Sequence, residues 1–157
     1  MVVHGNYYVP VHYTGDHTIH NLVERIRLGK HAPDFIDHRF TDENFPQTKD
    51  GVENLIISVI SFGRVIDSEE ETGALIASEG YEIADPAELL SLRLEYPSFV
   101  WGDRIAAPKQ AWKSTRGYRM LPCLNSGTGS GIRLRMIDAG WLEFWKFAVI
   151  KAESAQA

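Results

Sequence analysis

The sequence predicts one α+β domain, in which about three helices pack on a mixed or antiparallel sheet that has a C-terminal β-meander. Apolar periodicity and capping residues mark three helices, all of them before residue 97. Short alternating segments separated by turn residues fill most of residues 104–152. With 157 residues, 44% of them hydrophobic, the chain is long enough to bury one core. We therefore expect a single domain over residues 1–157, with a helix-rich part at 1–103 and a β-meander at 104–152.

The first elements are a strand and a helix. Polar and apolar residues alternate over Tyr7–Tyr13, which is the period of a β-strand. Pro10 lacks an amide donor, so this strand is predicted at a sheet edge. The helix that follows has one apolar stripe at helical spacing, made of Ile19, Leu22, Val23 and Ile26. Residues 31–51 combine turn formers with scattered aromatic residues and predict an irregular loop.

A central strand and two more helices come next. Val52–Phe62 is the most β-prone run and is apolar on both faces, which is typical of a strand inside a sheet. Ser68 with Glu71 forms a capping box that begins the second helix. Asp85 as N-cap, proline at the next position and Glu88 at the third helical position mark the start of the third helix.

The remainder of the chain predicts strands joined by turns. The five segments are Phe99–Trp101, Ile105–Trp112, Gly117–Leu124, Gly131–Ile137 and Phe144–Lys151. The glycine-rich run at 126–131 precedes a strand and has no P-loop lysine, so it indicates a hairpin loop rather than a phosphate-binding loop.

The two parts of the chain carry opposite charge. Residues 1–103 contain 7 Lys and Arg against 18 Asp and Glu, whereas residues 104–157 contain 9 against 3. A basic, aromatic-bearing sheet attached to an acidic body suits an anionic partner, or docking onto that body. The net charge of −5 argues against non-specific nucleic-acid binding by the whole molecule.

The basic part contains the candidate binding residues. Arg133 and Arg135 alternate with apolar residues, so both side chains lie on one face of their strand. Basic residues of the neighbouring strands are expected across that face, and nearby tryptophans are expected to stack on a ligand. The predicted partner-binding residues are Arg119, Arg133, Arg135, Lys146, Trp141 and Trp145. The alternative is a half-solvated sheet face whose outer residues are basic without a binding role.

No residue set predicts an active site, and we expect neither a cofactor nor a metal. Cys123, the single cysteine, excludes an internal disulfide and is expected to pack as a small hydrophobe. The acidic residues at 67–71 are explained by the helix that begins there. We therefore expect a non-catalytic protein that binds a macromolecule, with a protein favoured over a nucleic acid, although catalysis stays open.

Two alternatives use other parts of the chain. A metal-dependent hydrolase or nuclease would require residues of the region 12–42 to meet in one pocket, namely His17, His20, Asp34, Asp37 or His38. A homodimer would explain why Phe144–Lys151 is apolar on both faces.

The sequence also predicts a compartment. Its apolar stretches are far shorter than a membrane span, and residues 1–8 lack the pattern of a secretory signal. Together with the single cysteine, these features favour the cytoplasm, with no membrane partner.

Several segments together carry a resemblance. In order they are Arg27–Lys30, Phe40–Pro46, Asp67–Glu70, Ala84–Leu90, Pro122–Leu124, Trp141 and Lys146–Lys151. Through them the chain, from about Tyr13 to Lys151, resembles a family of uncharacterised bacterial proteins. The resemblance implies a shape and a bacterial or phage origin, but no reaction and no catalytic residue. The C-terminal part, a Trp-bearing hairpin before a last strand, resembles the end of C-type-lectin-like domains, which implies ligand binding through loops.

Overall fold

The computed structural model of the chain describes residues 1–97, 104–109, 111–125, 130–136 and 140–152. The helices are α1 (Ile19–Leu28), α2 (Glu69–Ser78) and α3 (Pro86–Glu95). The strands are β1 (Val2–His12), β2 (Phe35–Ile36), β3 (Val52–Ser61), β4 (Tyr81–Ile83), β5 (Arg104–Ala106), β6 (Trp112–Lys113), β7 (Arg119–Asn125), β8 (Gly131–Met136) and β9 (Trp145–Lys151). All nine strands belong to one mixed sheet, which confirms the predicted α+β class.

The three helices lie where the sequence predicts them, because each has a local start signal. The side chain of Thr18 caps α1, and that of Ser68 caps α2 by accepting a hydrogen bond from the Glu71 N–H at 3.1 Å. The α3 capping box is complete: Asp85 accepts from the Glu88 N–H, and Glu88 accepts from the Asp85 N–H, both at 2.8 Å. These bonds satisfy amides that a helix leaves without intrahelical partners.

The main path of the sheet runs β1-β3-β9-β5-β7-β8-β2. β1 lies at an edge and pairs with β3, as Pro10 predicts. β9 lies inside the sheet, antiparallel to β3 and parallel to β5, and β4 pairs with its second half. The interior position of β9 accounts for the apolar residues on both of its faces, whereas the homodimer expected from the same segment stays a prediction.

Some strands differ from the prediction. The segment Ile105–Trp112 is not one strand, because Pro108 lies between β5 and β6 and offers no amide to a ladder. β7 and β8 form an antiparallel hairpin, but β9 returns to the middle of the sheet rather than extending the meander from β8. β2 and β4 were not predicted, and the segment Phe99–Trp101 lies outside the described residues.

The sheet separates two apolar clusters. Along each inner strand, successive side chains alternate between them, so that Ile105 joins the cluster of α1 and α3 while Ala106 joins the cluster that contains Ile76 of α2. We call these two sides the α1/α3 face and the α2 face. The same alternation decides on which side each arginine of β5, β7 and β8 lies.

A buried polar group joins the end of β1 to α3. The Tyr13 hydroxyl donates to Glu88 Oε2 at 2.6 Å, and Lys49 Nζ lies 3.0 Å from the same oxygen. Glu88 and Tyr13 are both fully buried. Burial, and then the hydrogen bond to Glu88, raise the pKa of Tyr13 above its usual value. Tyr13 is therefore a neutral donor to the buried carboxylate of an ion pair whose Lys49 side chain is 30% exposed.

Candidate functional site

Three arginines from two strands meet on the α2 face. Arg133 of β8 lies opposite Cys123, and Arg135 lies opposite Leu121, and both partners belong to the apolar cluster on that face. Arg104 of β5 lies opposite Trp145, another member of the same cluster. Since directly paired residues project to the same side of a sheet, all three side chains share one face.

These arginines line an open depression of about 360 Å³, which we call the arginine depression. The described residues that line it are Arg104, Cys123, Asn125, Arg133, Leu134, Arg135 and Trp145. Arg104 is exposed, whereas Arg133 and Arg135 are half-buried. None of the described lining residues is an Asp or a Glu, so the described wall of the depression carries positive charge alone.

Aromatic rings hold the guanidinium groups in place. The Arg135 guanidinium carbon lies 4.5 Å from the centre of the Trp141 ring and 5.0 Å from that of Trp145. Arg104 lies 5.7 Å from the same Trp145 ring, and Arg133 lies 4.6 Å from the ring of Phe35. Each contact has the geometry of a cation–π interaction, which restricts the conformations of the arginine side chain.

The two tryptophans form the base of this arrangement. Trp141 is fully buried and Trp145 is 4% exposed, with their ring centres 5.0 Å apart in an edge-to-face contact. Two backbone hydrogen bonds with Ile66 hold Trp141 on the neighbouring segment. Their contacts on the α2 face are therefore with the core and with arginines, whereas the sequence predicted them as stacking groups for a ligand.

The remaining predicted site residues lie elsewhere. Arg119 is on the α2 face, where it forms an ion pair with Glu69 of α2 at 2.8 Å. Lys146 lies opposite Ile105, a member of the α1/α3 cluster, and therefore projects to the other side of the sheet. The structure thus brings Arg133, Arg135 and Trp145 together.

Sequence reasoning missed Arg104 and Asn125, which lie opposite each other in the β5–β7 pairing and complete the depression. Neither residue is part of a motif. The signal that places them is the cross-strand register, which strand patterns alone do not supply.

Cys123 lies in the lining, but it is not an activated nucleophile. Burial raises the pKa of its thiol to about 11, although the nearby Arg135, Arg104 and Arg133 act in the opposite direction. A thiol with this pKa stays protonated near neutral pH, and the thiolate is the reactive form.

The His- and Asp-rich region forms a separate depression of about 330 Å³. It brings together His20, Asp37 and His38, whereas His17 and Asp34 are not among its described lining residues. Asp37 is bound by the Arg39 guanidinium at 2.7 and 2.9 Å. No group of three His, Cys, Asp or Glu among the described residues is arranged to hold a metal ion.

The carboxylates here have structural partners. The Asp42 side chain accepts hydrogen bonds from the first two backbone amides of α1, at 2.9 and 3.0 Å. Burial acts to raise the pKa of Asp37, but hydrogen bonds from Arg39 outweigh it and hold the pKa below its usual value. Both carboxylates are thereby engaged in fixed contacts within the fold.

Comparisons with protein-family models, with curated proteins and with solved structures found no match for this chain. The two resemblances described from the sequence therefore stay predictions. None of the helices in the described ranges is both long and apolar enough to cross a membrane.

Proposed function

We propose that this protein is a non-catalytic interaction module that binds an anionic group of a partner protein in the arginine depression. The observation that carries the proposal is the convergence of Arg104, Arg133 and Arg135 around an open cavity of about 360 Å³. Arginine clusters of this kind recognise acidic or phosphorylated motifs, because the planar guanidinium matches the two oxygens of such groups.

The stacking of the guanidiniums supports a binding role. An arginine held over an aromatic ring has already lost part of its conformational freedom, so an incoming anion has less side chain to order. Arg135 and Arg104 are held in this way around the single ring of Trp145. These side chains therefore lose part of their conformational entropy when the protein folds, and they lose less when the anion binds.

A protein partner is favoured over a nucleic acid. The basic residues meet in one concave site, whereas proteins that bind single-stranded nucleic acid use a groove that follows the backbone. The net charge of −5 also repels a polyanion at distances beyond the site. The cytoplasmic setting and the bacterial or phage origin belong to the same proposal and rest on the sequence.

An affinity capture from bacterial lysate, with half of each sample treated with nuclease, tests the proposal. The double variant Arg133→Glu/Arg135→Glu is compared with Lys113→Glu/Arg116→Glu, which makes the same change in net charge at exposed positions near the β6–β7 turn. Circular dichroism confirms that each variant is folded.

We expect the wild type and the Lys113/Arg116 control to capture the same protein, and the Arg133/Arg135 variant to lose it, with or without nuclease. Capture that disappears after nuclease treatment would show a nucleic-acid partner instead. Equal capture by all three forms would reject the arginine depression as the binding site.

A further inference from the structure

Among the described residues that line the depression, arginine alone supplies positive charge. These residues include three arginines and no lysine. Each guanidinium offers five N–H donors in a planar fork, whereas an ammonium group is a compact point charge. The donor set is therefore suited to an anion with several oxygens at fixed angles, rather than to any negative charge.

The arginines are also placed on more than one side of the opening. Arg133 and Arg135 are two residues apart on β8, so their Cα atoms are separated by about 7 Å along one strand. Arg104 comes from β5, which is separated from β8 by β7. An anion between these strands can receive donors from opposite sides of the depression.

The number of guanidinium groups in the depression can be compared with the number of oxygens and the charge of each class of anion. A carboxylate has two oxygens and one negative charge, and one guanidinium fork satisfies it. A phosphomonoester has three terminal oxygens and a charge of about −1.5 to −2 near pH 7. Three guanidiniums match the three terminal oxygens and the higher charge of the phosphomonoester.

From this match we infer that the arginine depression binds a phosphomonoester dianion, carried on a phosphorylated side chain of the partner. The inference rests on the proposed function and adds the chemistry of the ligand. The depression, at about 360 Å³, is within the size range of small-molecule sites and has room for the group to which the phosphate is esterified. The half-buried Asn125 at its wall supplies an amide donor and an acceptor for the ester group or its neighbouring peptide bond.

The test uses nuclear magnetic resonance of the arginine Nε–H groups in the full chain, with four small probes. Phenyl phosphate carries the proposed group, phenyl sulfate is a tetrahedral monoanion, benzoate is a carboxylate and diphenyl phosphate is a diester. Each probe is titrated at pH 7.5 and pH 5. Arg104→Lys, Arg133→Lys and Arg135→Lys identify the three resonances, and each also keeps a positive charge in place while removing the guanidinium fork.

We expect phenyl phosphate to shift all three resonances and to bind at least about tenfold more tightly than the other probes at pH 7.5. Its affinity should fall at pH 5, because the second proton of a phosphomonoester has a pKa near 6. Phenyl sulfate should show no such pH dependence. Arg133→Lys should weaken phenyl phosphate about tenfold, whereas Arg116→Lys, at an exposed turn, should not.

A second arm identifies the carrier. A glycine-flanked phosphoserine peptide should bind at least as tightly as phenyl phosphate, and its unphosphorylated form should not bind. A phosphopeptide that binds more weakly than phenyl phosphate would overturn the assignment to a protein side chain.

The results also separate this inference from the function it rests on. Equal affinities for phosphate, sulfate and carboxylate probes would overturn the phosphomonoester and leave an anion-binding depression. The absence of any arginine shift at millimolar probe concentrations would overturn the phosphomonoester as well. The capture experiment with the charge-reversed variants then decides independently whether the depression binds a partner.

Discussion

Replacing Tyr13 with phenylalanine tests how the buried polar group holds β1 to α3. The substitution removes one hydroxyl and leaves the ring, which is fully buried and lies 5.4 Å from Lys49 Nζ. The interactions lost are the 2.6 Å hydrogen bond to Glu88 Oε2 and a longer one, of 3.2 Å, to Glu53 Oε2. Glu88 keeps its contact with Lys49 at 3.0 Å and its hydrogen bond from the Asp85 N–H at 2.8 Å.

The expected loss of stability depends on the contacts that Glu88 keeps in the Tyr13→Phe variant. Removing a partner of a buried ion pair costs about 3–5 kcal/mol, because it leaves a charge without compensation. A hydrogen bond to a charged group contributes about 1.5–3 kcal/mol. Since the Lys49–Glu88 pair survives in Tyr13→Phe, we expect a loss of about 2 kcal/mol, or about 4 to 8 °C in Tm for a chain of this size.

Urea denaturation followed by circular dichroism measures the change, with the slope of the transition checked for constancy. Tyr8→Phe is the matched control, because Tyr8 lies on β1, the strand that Tyr13 directly follows, and is 69% exposed. It should change the free energy of unfolding by less than about 0.5 kcal/mol. If the two variants lose the same stability, the Tyr13 hydroxyl does not stabilise the Glu88 carboxylate as described.

Three further predictions concern other contacts. Burial, and then repulsion from Glu88, raise the pKa of Asp85, so the wild type loses stability as pH rises through that pKa. Asp85→Asn keeps an N-cap and should raise the free energy of unfolding by up to about 1 kcal/mol at pH 7, and by less at acid pH. A stability difference from the wild type that does not change with pH would contradict this. Gly140→Ala should lower the free energy of unfolding, measured with urea, by about 2 kcal/mol or more, because φ is +68° and the new Cβ would meet the Ile66 carbonyl. An unchanged urea midpoint would contradict this prediction. Cys123, which is 3% exposed, should react with an aromatic disulfide at pH 8 at least about a hundredfold more slowly in the folded protein than in denaturant, and equal rates would disprove its burial.

The helices were predictable because their signals are local. The apolar stripe of α1, the Ser68 N-cap of α2 and the capping box of α3 involve residues within a few positions of one another, and the structure contains all three. In α2 the Glu71 side chain accepts from the Asp67 N–H, one residue before the position that the predicted capping box requires. The edge position of β1 was predictable for a similar reason, since Pro10 alone restricts what can pair there.

The strand order and the site depend on distant residues. The alternation of side chains along β8 correctly placed Arg133 and Arg135 on one face of the sheet. It carries no information about which residues of β9 project to that face. Lys146 was therefore expected beside them, whereas the β5–β9 register turns it to the α1/α3 face. Arg104 was missed for the same reason, because its role depends on a pairing with Asn125 that no local pattern reveals.

The position of β9 bears on how the chain folds during synthesis. β9 follows the other described strands in the chain, yet it pairs with β3 on one side and with β5 on the other, opposite Ile57 and Ile105 respectively. Until it arrives, β3 and β5 present unpaired edges, which can associate with other chains. Pairings between residues so far apart along the chain form slowly. The nascent protein therefore needs β9 to join these two parts of its sheet, and conditions that delay the pairing of β9 favour aggregation over folding.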